Sequence, residues 1–177
     1  MRARDVLVVG SSLGGWIAAE MAVRDTAGII TDLVLIDAVG VRVEGEPMRD
    51  FFGLDARGIA DHAWHDSARY YVDPATVPPE QFAARRAYME TMRILAGEPY
   101  MPDPKLLRRL GRVRVPALLL WGESDRIVTP AYGAAYAAAF GDARLQVVPE
   151  AGHLPHIEQS GATLALIDDH LRGRRRP

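Results

Sequence analysis

The sequence predicts an α/β fold: about four parallel strands flanked by helices, with one helical insertion. Three observations predict it. Four short apolar runs, each four or five residues long, recur along the chain. Stretches of helical periodicity stand between them, and that alternation belongs to a parallel sheet covered on both faces. The alternation breaks once, over residues 42–112, where helical patterns continue without a strand. With 177 residues, 49% hydrophobic and 25% charged, the chain can bury a sizeable core as one globular unit.

The first strand is Val6-Leu7-Val8-Val9, a β-branched run ending at Gly10. From Leu13 to Val23 the pattern turns helical, with Leu13, Trp16, Ile17 and Met21 spaced by small residues. Leu33-Val34-Leu35-Ile36 is the second buried strand. Ala117-Leu118-Leu119-Leu120-Trp121 is the third, entered through Pro116. Pro130–Phe140 is an alanine-rich helix with Thr129 as its N-cap and proline in the first turn. Leu145-Gln146-Val147-Val148 is the fourth strand, and a last helix runs from about Glu158 to Leu171. Inside the insertion the best helix is Pro79–Ala96, with Phe82, Tyr88, Met89, Met92 and Leu95 on its apolar side. Phe51, Phe52, Trp64, Tyr70 and Tyr71 either line a ligand pocket or form the insertion's own small core. The division is therefore 1–41 with 113–177 as a core, and 42–112 as an insertion.

Composition narrows the function classes. A net charge of −2 gives no electrostatic case for nucleic acid. The absence of cysteine excludes a disulfide scaffold, a thiolate metal site and a cysteine nucleophile, and fits the cytoplasm. Lys105 is the sole lysine, a poor basis for Schiff-base or phosphate-loop chemistry. No apolar run approaches the 18 or so residues of a membrane span. Arg2 and Arg4 before an apolar stretch have the layout of a signal peptide, but Asp5 and Gly10-Ser11-Ser12 interrupt it. Arg172, Arg174, Arg175 and Arg176 suit a helix C-terminus.

Chemistry concentrates in three loops. Gly10-Ser11-Ser12-Leu13-Gly14 matches G-x-S-x-G. At an average glycine usage of about 7%, roughly one random chain in twenty of this length would carry that motif, so its context decides. Here a buried strand runs into it and a helix starts after it. Such a turn strains the serine backbone and lifts the Ser12 hydroxyl above the sheet. Glycines two before and two after avoid collisions across the turn. The Leu13 amide then heads a helix, where an oxyanion is stabilised. Ser11 is out of frame and structural. A serine needs a base, and the base needs an orienting carboxylate. The loop after the third strand offers Glu123 and Asp125, and the loop after the fourth offers His153 and His156. Asp37, after the second strand, is a rival acid, and His156 is a rival base. His62 and His65 have a spacing compatible with metal binding but no acidic partner to complete a site, so they read as a solvated helix face and no metal is expected.

These motifs resemble the α/β-hydrolase family, in its capped single-domain branch of esterases, epoxide hydrolases and carbon–carbon bond hydrolases. Gly10-Ser11-Ser12-Leu13-Gly14-Gly15 resembles the family's nucleophile elbow. Gly122-Glu123-Ser124-Asp125 resembles its acid loop, and Gly152-His153 with Pro155 and Glu158 its histidine loop. The resemblance implies Ser12 as nucleophile, His153 as general base and then acid, Asp125 as its orienter, and residues 42–112 as a cap. A serine at the elbow argues against the branches that place aspartate there. The implied activity is a cofactor-free serine hydrolase working through an acyl-enzyme. Its substrate would be a small molecule, an ester first and a vinylogous diketone cleaved at carbon–carbon second.

The resemblance also implies about four strands before the elbow, together with a His-Gly loop that supplies a second oxyanion amide. Neither occurs in residues 1–177, so the expectation is a partial fold lacking its N-terminal half. Losing one oxyanion donor typically costs about 10²–10³ in rate. The expected consequences are weak activity, or a fragment or subunit that needs a partner chain. A triad-retaining ligand receptor is a further reading. The apolar edge of Val6–Val9 would then pair with another copy to give a homodimer.

Overall fold

In the computed structural model, residues 5–98 and 100–174 are described. Arg2, Arg4, Arg175 and Arg176, and the side chain of Arg174, lie outside them. The chain begins with β1 (Val6–Ser11), α1 (Leu13–Arg24) and β2 (Ile30–Ile36). The insertion follows, with α2 (Ala56–Ala63), α3 (Ser67–Tyr70), a 3₁₀ turn at Pro74–Thr76, α4 (Pro79–Ala96), α5 (Leu106–Arg109) and a second 3₁₀ turn at Leu110–Arg112. The core resumes as β3 (Ala117–Gly122), α6 (Pro130–Ala138), β4 (Ala143–Val148), α7 (Pro155–Glu158) and α8 (Ser160–Arg174).

The strands form one parallel sheet in the order β1-β2-β3-β4. Successive side chains of a strand point to opposite faces, and the core divides accordingly. Leu33, Leu35, Ala117, Leu119 and Trp121 face Ala18, Ala19 and Ala22 of α1 and Tyr132 and Tyr136 of α6. Val34, Ile36, Leu118 and Leu120 face the other way, toward Leu166 and Ile167 of α8. Every residue of β3 is buried, as expected of a strand flanked on both sides and covered on both faces. Small residues on α1 let the helix lie close to the sheet. Thr129 caps α6 by accepting from the Tyr132 N–H at 3.2 Å, as the sequence predicts.

Several details depart from the sequence reading. β4 starts two residues earlier, at Ala143, and only its last residue is buried, because it lies at the sheet edge. The last helix is α8, starting at Ser160 rather than about Glu158, and a short α7 that the sequence did not show precedes it, the two separated by Gln159 at φ −129°, ψ 52°. α4 has the predicted bounds, but only Ala96 of it is buried. Tyr88, at 71% exposure, and Leu95 face outward, so most of the apolar side has no cover. Leu106 and Leu110, late in the insertion, pack into the main core. The insertion's aromatics split into groups. Phe51 and Phe52 cluster with Tyr100 against that core, while Trp64 stacks on Tyr70 with ring centres 4.5 Å apart.

Candidate active site

Four polar side chains converge at the carboxyl ends of the four strands, where loops of a parallel α/β sheet present functional groups. Ser12 joins β1 to α1 with φ 51° and ψ −119°, a conformation that an L-residue holds only under constraint from its surroundings. The constraint is visible. Its N–H donates to the Ile36 carbonyl at 2.9 Å, and its carbonyl accepts from Gly15, Trp16 and Val39 N–H groups. A Cβ at Gly10 would collide with the Gly14 backbone, and one at Gly15 with Ala38, whereas one at Gly14 would meet nothing. The crowded second glycine of the elbow is thus Gly15, not the Gly14 of the motif. Ser12 occupies the N-cap position of α1 without capping it, so its hydroxyl is available for another partner.

That partner is His153. Its Nε2 lies 2.8 Å from Ser12 Oγ, and its Nδ1 lies 2.8 Å from Asp125 Oδ2. With the Nδ1 proton facing the carboxylate, Nε2 accepts the Ser12 O–H. Asp125 is fixed in turn, because its Oδ1 accepts from the Ile127 and Val128 N–H groups at 2.8 and 3.1 Å. Asp125 and His153 are buried, and Ser12 is half-buried. Leu13 is the first residue of α1, so its own N–H has no carbonyl within the helix to bond. Ser11 ends β1, with its own hydroxyl buried and unpaired.

Asp37, the rival acid, also arrives here. It is wholly buried, at φ 43°, and its Oδ1 accepts from the Gly122 N–H at 2.9 Å. Burial first, and then the neighbouring Asp125 charge and hydrogen bond, push its carboxyl well above the usual range. His156 rides on α7 and makes neither contact that His153 makes. Burial, followed by the His153 charge, lowers its pKa.

Asp37, Asp125 and His153 place one donor atom each within 4.8 Å of one another. Asp125 and His153 bond each other, Asp125 also accepts from two amides, and His153 also meets Ser12, whereas Asp37 is held only by the Gly122 amide. The His62 ring bonds the Gly58 carbonyl at 2.8 Å and the His65 ring bonds Ser124 Oγ at 2.7 Å, so the two face different partners.

The insertion holds the histidine loop, which the sequence did not reveal. The His153 N–H donates to the Ala63 carbonyl at 2.7 Å. Glu158 accepts from the N–H groups of Gly152, His65 and Asp66 at 2.6, 3.0 and 3.2 Å, tying α7 to the end of α2. A Cβ on Gly152 would strike Ala63 and Trp64. The motif Gly152-His153 with Glu158 was legible, but the α2 end it grips carries no sequence signal.

A strand–turn–helix serine, a histidine after the last strand and an acid after the third thus meet at one end of the sheet. The chain belongs to the alpha/beta hydrolase family, whose model matches residues 2–166. It is 36% identical over 66 residues to the 2-hydroxy-6-oxo-6-phenylhexa-2,4-dienoate hydrolase of Comamonas testosteroni, a stretch covering 37% of this chain and 23% of that protein. A crystal structure of a meta-cleavage product hydrolase superposes with a TM-score of 0.73 at 20% identity, covering 97% of this chain and 66% of that one. A serine hydrolase involved in carbazole degradation superposes at 0.68 with 25% identity, covering 98% and 66%. The chain therefore spans 66% of the length of these solved relatives. Among the described residues no helix is long and apolar enough to cross a membrane.

Proposed function

We propose that the protein is a serine hydrolase in which Ser12 is the nucleophile, His153 the general base and then acid, and Asp125 the carboxylate that orients it. The observation that carries this reading is the pair of 2.8 Å contacts made by the two nitrogens of one imidazole. Ser12 Oγ attacks a substrate carbonyl as its proton passes to His153 Nε2. The imidazolium so formed faces the Asp125 anion in a buried setting, where that attraction is strong. The Leu13 N–H, at the positive end of α1, meets the oxyanion. Collapse of the tetrahedral species breaks the bond to the leaving group, which takes the proton from His153. Water then attacks the acyl-enzyme with His153 again as base. Residues 42–112 act as the cap, a role supported by their hydrogen bonds to both the histidine and acid loops.

The geometry serves two leaving groups, an ester oxygen or a stabilised carbon. The relative that cleaves a phenylhexadienoate favours carbon. In a vinylogous diketone the departing carbon's electron pair delocalises into the adjoining unsaturated carbonyl, and His153 supplies the proton. The test is turnover of 2-hydroxy-6-oxo-6-phenylhexa-2,4-dienoate beside p-nitrophenyl butyrate. The expected result is preference for the dienoate, with both activities abolished by Ser12→Ala. Ester turnover with no dienoate cleavage would make this an esterase. Turnover that survives Ser12→Ala would overturn the mechanism.

A further inference from the structure

The relay of Ser12, His153 and Asp125 leaves one buried acid unused. Asp37 has no accessible surface. Its Oδ1 accepts from Gly122, but its Oδ2 is equally buried and meets no donor among the described residues. One of its carboxyl oxygens lies within 4.8 Å of a carboxyl oxygen of Asp125. The charged groups that bear on it are Asp125, from the loop after β3, and Glu158, from α7, with the His153 ring in the same cluster. Among the described residues no cation forms an ion pair with it.

Two carboxyl groups in contact in a dry site do not both ionise. Hydrogen bonds to the charged form decide which one does. Asp125 accepts three, from Ile127, Val128 and His153. Asp37 accepts one, from Gly122. We propose that Asp37 holds the proton and donates Oδ2–H to Asp125, serving as a positioning residue that fixes Asp125 as the single anion behind His153. The proposal rests on the Ser12–His153–Asp125 reading. It gives both Asp37 oxygens a partner and accounts for a buried carboxyl that otherwise has no role. The Asp37 proton stays in place throughout turnover, while the Ser12 proton alone shuttles through His153.

Rescue by an isosteric variant tests the idea. Asp37→Leu removes the donor and should lower kcat by about 10–100-fold, the range for a lost hydrogen bond to a charged group, with KM unchanged. Asp37→Asn puts an N–H donor where the proton is assigned and should recover most of that loss, whereas Asp125→Asn should not recover. Infrared spectroscopy reads the proton without turnover. The parent and Ser12→Ala should both show the carbonyl stretch of a buried, protonated carboxyl at neutral pH, and Asp37→Asn should lose it. Absence of that band in the parent, or Asp37→Asn as impaired as Asp125→Asn, would overturn the proposal. Full activity in Ser12→Ala would instead overturn the underlying relay and leave the infrared result standing on its own.

Discussion

At the residue scale, the site rests on strained and buried groups whose neighbours hold them. Ser12 tolerates positive φ because four backbone hydrogen bonds surround it, and because Gly10 and Gly15 let β1, α1 and the segment after β2 crowd together. Asp37 gives a prediction about stability. Its folded pKa lies above the ordinary 3.8, so over that interval the unfolded chain binds fewer protons than the folded one. Its contribution to stability is therefore full below pH 3.8 and is lost as pH rises toward the folded pKa. Asp37→Asn removes this loss. The variant should melt above the parent at neutral pH, by about 2–4 °C per kcal/mol relieved, and the gap should close as pH falls to 3.8. Thermal melts at the two pH values check it, and an unchanged gap would contradict it. Ser12, Asp125 and His153 were legible because motif and strand order locate each one. The crowding at Gly15, and the state of Asp37, depend on atoms that only folding brings near.

At the scale of elements, the four core strands could be read from apolar run length, whereas their order in the sheet came only with the structure. Their exposure could not be read either, since it depends on which strand lies at the edge. β3 and β4 read alike as apolar runs, yet one is wholly buried and the other is not. The exposed face of α4 is the same lesson for a helix: periodicity marks an apolar side without saying that anything covers it. The histidine loop is the element that most directly links insertion to chemistry. Glu158→Ala leaves the N–H groups of Gly152, His65 and Asp66 without their acceptor. It should lower stability by roughly 1.5–3 kcal/mol, as for one hydrogen bond to a charged group, since partial exposure lets water replace the others. Urea unfolding measures this. Gly152→Ala should act harder on turnover than on folding, because it displaces the backbone next to His153. Unchanged kcat in Gly152→Ala would show that the grip of α2 on this loop does not matter to catalysis.

At the scale of the molecule, β1 is an edge strand with Val9 half exposed. On the adjoining α1, Ile17 and Met21 are also exposed, and with Leu13, Trp16 and Leu95 they line a groove of about 530 Å³. An unprotected apolar strand edge is a template for pairing with another chain. We propose that residues 1–177 on their own associate through β1. Sedimentation should give dimers or larger species, and Val9→Lys, a charge on that edge, should return the chain toward monomer. A parent that sediments as a monomer at all concentrations would contradict this.

The central claim is that one imidazole links Ser12 to Asp125 and makes that serine nucleophilic. A fluorophosphonate probe followed by peptide mass mapping tests it most directly. The account predicts a single adduct on Ser12, absent in Ser12→Ala, lost in His153→Ala and retained in His156→Ala. An adduct on Ser11, or labelling that persists in both Ser12→Ala and His153→Ala, would contradict it.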